Sequence, residues 1–513
     1  MTYDCVIRGG RVVTAEGAFL ADVGICGERI AAIGRDLVND SEAPRGLKDS
    51  GRKPLLSYGR GSGATAQEPV AHGEARLEGE GSRRLKPAAQ GNTRIIDATG
   101  RLVIPGGMDV HVHLELPFCG TVSADDYDSG TRAAACGGVT TVIDFAIPYG
   151  DESMAKAVEN WHGRAEGKAC VDYCFHVAIT KWAKHSKEIK GLIKKGYPTF
   201  KQFMIYEREG WQSDDAAIYG ALETLRDLGG LLLVHAESSR VLDLLIDRHH
   251  TSAEMKKHGA WLHAVTRPNF IEAEAIERVI RWTRVTGGRS FIVHMSTAEG
   301  ADLIKQAQHE GVKILAETCA QYLVLADDVF KKKDGHLYAT CPQLKKVNDQ
   351  ERLWAGLKSG EVCNVSTDTC TFTRTQKAMW KGDWTKIPMG MPGLETLMPI
   401  VYTQGVLKER LTVEEFVDKC CTNPAKIMGL YPRKGTLSVG SDADIAVVHP
   451  TKTRRVDFRK MQTNCDWSPF QGWDLAGFAE HTFCRGEQIV KDYRFIGRNG
   501  HGKFLSRDCA GVA

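Results

Sequence analysis

The amino-acid sequence predicts an α/β protein: a (β/α)₈ barrel joined to a discontinuous β-sandwich built from the two ends of the chain. Three observations carry that expectation. Eight short apolar runs alternate with helix-forming segments, and most end in a polar or charged residue. This is the pattern of parallel strands covered by helices on both faces. Glycine-punctuated, alternating segments precede and follow that region, as antiparallel strands do. The chain has 513 residues, more than the roughly 250–300 at which a single core stops growing, so one large and one smaller unit are expected.

Taken in order, residues 3–7, 11–14, 21–25 and 29–33 alternate apolar and polar side chains and read as short antiparallel strands. Residues 1–8 contain no long apolar core of a signal peptide. From 39 to 92 there is no Ile, Phe, Trp, Met or Cys. Such a stretch buries too little apolar surface to offset its ordering entropy and reads as a disordered insertion. Deleting about residues 40–91 is therefore expected to leave a soluble, fully active protein. An insoluble or inactive deletion variant would show that the segment packs on the rest.

Strand character returns at 93–97. The eight apolar runs follow at 110–113, 140–144, 174–178, 199–203, 231–235, 291–294, 313–316 and 364–368. In a (β/α)₈ barrel the active site lies at the C-terminal strand ends, where these runs place their polar residues. Residues 435–448 return to glycine-punctuated strands, expected to pair with the N-terminal ones. The expected organisation is 1–103 and 433–497 for the two parts of the sandwich, 104–432 for the barrel, and 498–513 for a tail.

The formal charge is +3, from 67 basic and 64 acidic residues. That balance points away from nucleic acid or a membrane surface as partner. No apolar run reaches the roughly 18–20 residues of a membrane span. Fifteen cysteines are scattered without a Cys-x-x-Cys pair. They read as buried free thiols in a reducing compartment, hence a cytoplasmic protein.

His111-Val112-His113 places two imidazoles on one side of a strand, within reach of one metal ion. His235 and His294 end apolar runs in equivalent positions. Asp368 ends another, either as the N-cap of the next helix or as a metal ligand and proton carrier. Lys201 lies inside an apolar strand, so it either snorkels to solvent or is chemically altered. His249, His250 and His258 lie in polar helical stretches and read as solvated surface.

The ordered set of His-x-His, strand lysine, two strand-end histidines and final aspartate resembles the amidohydrolase superfamily. The closer resemblance is to dihydropyrimidinases and D-hydantoinases. It is carried by Pro105-Gly106-Gly107-Met108-Asp109-Val110-His111-Val112-His113, Gly130-Thr131-Arg132-Ala133-Ala134-Ala135-Cys136-Gly137-Gly138-Val139-Thr140-Thr141, Lys201-Gln202-Phe203-Met204-Ile205-Tyr206, Val234-His235-Ala236-Glu237, Glu317-Thr318-Cys319-Ala320-Gln321-Tyr322-Leu323 and Pro392-Gly393-Leu394-Glu395-Thr396. It covers nearly the whole chain except 39–92.

The resemblance implies two divalent metal ions, usually zinc. His111, His113 and Asp368 would hold one, and His235 and His294 the other. Lys201 would be N-carboxylated by CO₂ and bridge them, since an ammonium beside two dications is repelled and a carbamate attracted. Such a pair makes a hydroxide available near neutral pH. Tyr206 would stabilise the oxyanion, and Asp368 would pass a proton to the departing ring nitrogen. Cys341 and Met389 stand where the family commonly has the Ser and Asn that contact the substrate amide, largely through backbone. Asp368-Thr369-Cys370 stands where it has Asp-His-Cys. Leu116, Phe118, Phe203 and Trp211 would form an apolar lid.

The implied reaction opens 5,6-dihydropyrimidines to N-carbamoyl-β-amino acids, a step of pyrimidine catabolism, or 5-substituted hydantoins to N-carbamoyl amino acids. The implied assembly is a homotetramer acting on a small molecule. An allantoinase-like activity is a rival. A dihydroorotase would need a cationic clamp, whereas Leu114-Glu115-Leu116-Pro117-Phe118 offers apolar groups and an acid. The rival outside catalysis is an oligomeric scaffold like the collapsin response mediator proteins, which lack the full metal set. All six ligand positions are filled here.

Overall fold

The computed structural model describes residues 2–38 and 93–509, so the expectation for 39–92 lies outside the described residues. Strand β1 (Cys5–Thr14) pairs antiparallel with β2 (Gly17–Cys26), which pairs with β3 (Arg29–Gly34). The alternation predicts two strands in this stretch, and the structure has a single one. It is one strand with a bulge, its register shifting between Ile7 and Gly10. Gly9 has φ 70°, and a Cβ on Gly10 would lie 2.4 Å from Val103. Glycines are required there because the strand bends against a neighbour. As a result β4 (Arg94–Asp97) runs parallel to the first half of β1, and β5 (Leu102–Pro105) parallel to the second.

The barrel strands follow: β6 (Gly107–Val112), then after the hairpin β7 (Pro117–Phe118) and β8 (Thr121–Val122), β9 (Val139–Ala146), β10 (Asp172–Ala178), β11 (Thr199–Phe203), β12 (Leu231–His235), β13 (Ser290–Ile292), β14 (Ile314–Cys319) and β15 (Asn364–Ser366). Apart from the β7–β8 hairpin, they lie parallel in sequence order. The barrel closes where Val112 bridges Thr369 and His113 N donates to Thr369 O at 2.9 Å. Most strand residues are buried, as expected of a sheet covered by helices and filled inside. Helix Asp215–Leu228 is one such cover. Asp214 caps its start, Gly229 at φ 76° ends it, and Ile218, Ala221, Leu222 and Leu225 form its buried stripe. Strands β13 and β15 stop two residues short of the expected ends. His294 and Asp368 take left-handed φ values of 41° and 50°, which extended strand cannot continue through.

The chain then returns to the first sheet with β16 (Ile445–Val448), crosses the small pair β17 (Arg454–Arg455) and β18 (Asp474–Leu475), and adds β19 (Ala479–Cys484), β20 (Glu487–Lys491) and β21 (Arg494–Phe495). Only 445–448 of the expected 435–448 is strand. Strand β16 pairs antiparallel with β5, so both chain ends share one nine-stranded mixed sheet. Side-chain alternation divides this sheet between two cores. Val103, Ile445 and Val447 pack with Ile7, Val12, Val23 and Phe483. Ile104, Ala446 and Val448 join the barrel core. Lys434 Nζ, buried between Asp172 Oδ2 at 2.6 Å and Asp444 Oδ2 at 2.7 Å, ties β10 to the sheet. The segment read as a tail packs on the barrel through 509. Phe504 bridges Tyr173, and Arg507 Nη2 donates to Phe175 O at 2.6 Å. No helix among the described residues is long and apolar enough to cross a membrane.

Candidate active site

The C-terminal barrel mouth brings together all six expected ligand residues. His111 lies at the end of β6 and His113 just past it, Lys201 in β11, His235 at the end of β12, and His294 and Asp368 just past β13 and β15. All six line one cavity, with Leu116, Phe118, Ile147, Phe203, Tyr206, Trp211, Cys341, Cys370, Met389 and Gly390. Its volume is about 40 Å³, and it adjoins an outer cavity of about 450 Å³ that shares Phe118, Tyr206, Cys341 and Met389.

Asp368 Oδ1 is 3.3 Å from His111 Nε2 and 3.2 Å from His113 Nε2. Ligand atoms of His111, His294 and Asp368 all lie within 4.8 Å of one another. The rings of His294 and His235 are 4.4 Å apart. Buried His111 Nε2, His113 Nδ1 and His294 Nδ1 have no hydrogen-bond partner. A buried polar atom without a partner is costly, and a cation beside His111 Nε2, which faces Asp368, removes that cost. Burial, reinforced by neighbouring positive groups, holds His111 and His294 well below the usual histidine range, in the neutral form that binds metals. The donor set therefore fits divalent metal.

Lys201 does not snorkel. It is 1 % exposed, with Nζ 5.2 Å from the ring centres of both Phe145 and Phe203. Burial brings its amine down to about 7, against the opposing pull of Asp368 and Glu317. Asp368 is not the cap of the next helix, since Thr373 caps Arg374–Lys377. Tyr206, at φ 73°, and the residues His294 and Asp368 hold left-handed backbone without being glycine. Three such residues around one cavity are strain stored where side chains must be aimed.

The carboxylates that aim the histidines lie within the family-like motifs, where the sequence alone assigns them no role. Glu317 Oε1 is 2.6 Å from His111 Nδ1, which leaves Nε2 for the cavity. Ser366 donates to the same carboxyl at 2.5 Å. His235 Nε2 donates to Glu237 at 2.8 Å, which leaves Nδ1 as its available nitrogen. Arg267 stands 3.7 Å behind Glu237. Asp109 accepts from His111 N at 3.1 Å and from Thr367 Oγ1 at 2.6 Å, fixing β6 against the Asp368 turn. The usable signal was an acid in an otherwise apolar strand, which folding tolerates only with partners waiting.

An aromatic wall lines the cavity, and Tyr206 lies against His235 with ring centres 5.2 Å apart. Phe118 stacks on Trp211 with centres 5.4 Å apart, Phe203 lies 5.6 Å from Trp211, and Tyr206 meets Phe118 edge-on at 5.5 Å. Leu116 completes it. Cys341 Sγ is 3.0 Å from Glu237 Oε2. Burial pushes the Tyr206 hydroxyl well up, so it remains a proton donor. His249, His250 and His258 lie away from the cavity, partly exposed, beside the carboxylates of Glu254 and Asp383.

The model of the amidohydrolase family matches residues 102–489. The D-hydantoinase of Geobacillus stearothermophilus is 39% identical over 423 residues, covering 82% of this chain and 89% of that relative. A D-phenylhydantoinase of Escherichia coli is 36% identical over 421 residues, covering 80% and 89%. The crystal structure of dihydropyrimidinase from Brevibacillus agri NCHU1002 superposes with a TM-score of 0.86 at 34% identity, covering 98% of this chain and 99% of that one.

Proposed function

This chain belongs to the amidohydrolase family, and from that premise we propose that it hydrolyses cyclic amides, opening 5,6-dihydropyrimidines to N-carbamoyl-β-amino acids or 5-substituted hydantoins to N-carbamoyl amino acids. The observation that carries the reading is the convergence of four histidines, Asp368 and a buried lysine on one cavity walled by aromatic rings. The names of the relatives, D-hydantoinase and D-phenylhydantoinase, support the substrate class.

His111, His113 and Asp368 would hold one divalent ion, and His235 and His294 a second, with zinc the proposed metal. Such a pair, when bound, lowers the pKa of water and polarises a carbonyl. Lys201, with its amine near 7, presents a neutral fraction able to add to CO₂, and the carbamate so formed would lie between the two ligand groups. Asp368 takes the proton of the attacking water and returns it to the ring nitrogen as the C–N bond breaks. The Tyr206 hydroxyl donates to the carbonyl oxygen as charge develops there. Main chain at Cys341 and Met389 holds the ring amide. Leu116, Phe118, Phe203 and Trp211 exclude water and meet the ring substituent. The cytoplasm as compartment is supported by fifteen free thiols. The homotetramer is carried over from the family resemblance.

The test is a substrate panel of dihydrouracil, dihydrothymine, hydantoin, 5-phenylhydantoin, allantoin and dihydroorotate, with zinc and bicarbonate supplied. Hydrolysis of one of the first four is expected, and turnover of allantoin or dihydroorotate alone would overturn the reading. Within that panel Phe118 and Trp211 are expected to favour small substituents. Trp211→Ala should shift relative kcat/KM toward 5-phenylhydantoin by about ten-fold or more, since an apolar pocket contact discriminates by roughly 1–3 kcal/mol. Metal content should not change. Equal scaling of every substrate would make that tryptophan structural.

A further inference from the structure

We propose that Lys377 is a positioning residue for the substrate amide: its Nζ, buried between two main-chain carbonyls, sets the spacing of the two backbone segments that bear Cys341 and Met389. This rests on the cyclic-amide reading above. Lys377 ends the short helix Arg374–Lys377 and is fully buried. Its Nζ donates to Ala339 O at 3.0 Å and to Pro388 O at 2.6 Å. Ala339 lies two residues before Cys341, and Pro388 directly precedes Met389. Cys341 and Met389 both line the cavity.

The two segments also meet directly, with Gly390 N donating to Ala339 O at 2.8 Å. Gly390 has φ 141°, and a Cβ there would stand 2.2 Å from Cys370 O. Three stretches of main chain thus converge on the cavity rim at a separation that excludes a side chain. A primary amine on a long stem can reach in and donate to carbonyls on both sides, which no apolar residue of that length can do. Packing alone does not account for it. Burial without a carboxylate partner costs the amine part of its charge, bringing it down to about 7, and the next contributions come from the thiols of Cys119, Cys370 and Cys465. A methionine would fill the same space at no such cost.

The preceding residue extends the arrangement. Gln376 Nε2 donates to Thr121 Oγ1 at 2.9 Å and to Val122 O at 2.7 Å, in the hairpin that bears Phe118. One four-residue helix therefore fastens the lid hairpin and both amide-facing segments. The Cys341 segment keeps other anchors: His263 Nε2 holds Thr340 O at 2.8 Å, and the Tyr322 hydroxyl holds Pro342 O at 2.6 Å. Loss of Lys377 should widen the gap without releasing either segment.

The test is Lys377→Met, assayed on dihydrouracil with metal content measured on the same preparation. Contacts made alike to the bound ring and to its transition state appear in KM. KM is expected to rise about ten-fold or more, with kcat within roughly three-fold of the parent and the metals retained. An unchanged KM, or a fall in kcat that follows metal loss, would overturn the proposal. Should Lys377→Met not fold, Lys377→Gln keeps a donor for one carbonyl and should show a smaller rise in KM. Failure of both to fold would assign the lysine to barrel stability and overturn the positioning role. Inactivity of the parent toward every ring in the panel would sink the cyclic-amide reading itself, a result that the variants cannot mimic.

Discussion

Lys201→Ala protein is expected to lose at least about a thousand-fold in kcat and to retain metal poorly. In the proposed chemistry the metal pair supplies several kcal/mol of transition-state stabilisation, and each 1.36 kcal/mol is a factor of about ten. The structure indicates why no neighbour can replace this side chain. Lys201 is 1 % exposed, and its Nζ stands by Phe145 and Phe203 in the cavity that the proposed ligand histidines line. Truncation leaves a void in the cavity beside the proposed metal positions. Glu317 and Glu237 are engaged behind the histidines. Short carboxylic acids such as acetate or propionate should restore part of the activity and part of the bound metal, because they bring two anionic oxygens into the vacated space. The measurement is kcat against acid concentration, with metal content beside it. Full activity in Lys201→Ala without added acid would overturn the bridging role. Activity lost with both metals still tightly held would move the lysine from ligand to another task.

The legible parts of this molecule were those written in local pattern. Apolar runs ending in His235 and Phe203 were read to the residue, because a strand buried on both faces leaves a continuous signature. The pairing of the chain's two ends was legible for a similar reason, since glycine-punctuated alternation stood at both. Other features depend on neighbours distant in sequence. Strand β1 reads as two strands because Gly9-Gly10 interrupts the alternation, yet the bulge exists to serve β4, β5 and Asp22, whose carboxylate accepts from Gly9 N at 2.8 Å. His294 and Asp368 extend apolar runs by composition, while their left-handed backbone ends the strands before them. The proposed ligand residues stood out because histidines at strand ends are uncommon choices for a core. Glu317 and Asp109 did not, since an acid in a strand declares its role only when the histidine that it aims is placed beside it. Lys377 was silent for the same reason: its partners are carbonyls, which every residue possesses.

Asp368→Asn is expected to lower kcat by about a hundred- to ten-thousand-fold, the contribution typical of a positioned proton carrier. The exchange keeps size and shape, and the amide oxygen can still face His111 and His113, now 3.3 and 3.2 Å from the carboxylate. An amide accepts no proton at any working pH, so transfer to the ring nitrogen is lost. The carboxylate is well placed for that transfer: it is partly exposed to the cavity, unlike Glu317, Glu237 and Asp109, and its left-handed backbone aims it inward. Metal retention decides between its two proposed tasks. Asn is a neutral and weaker ligand, so the variant should be assayed with excess zinc and its bound metal determined. With both metals in place and the melting temperature near that of the parent, a large fall in kcat with KM little altered identifies proton carriage, since the interaction lost is one made in the transition state. A kcat within about three-fold of the parent would leave Asp368 as a ligand only. A fall in kcat reversed fully by added metal would do the same, and the proton would then need another carrier.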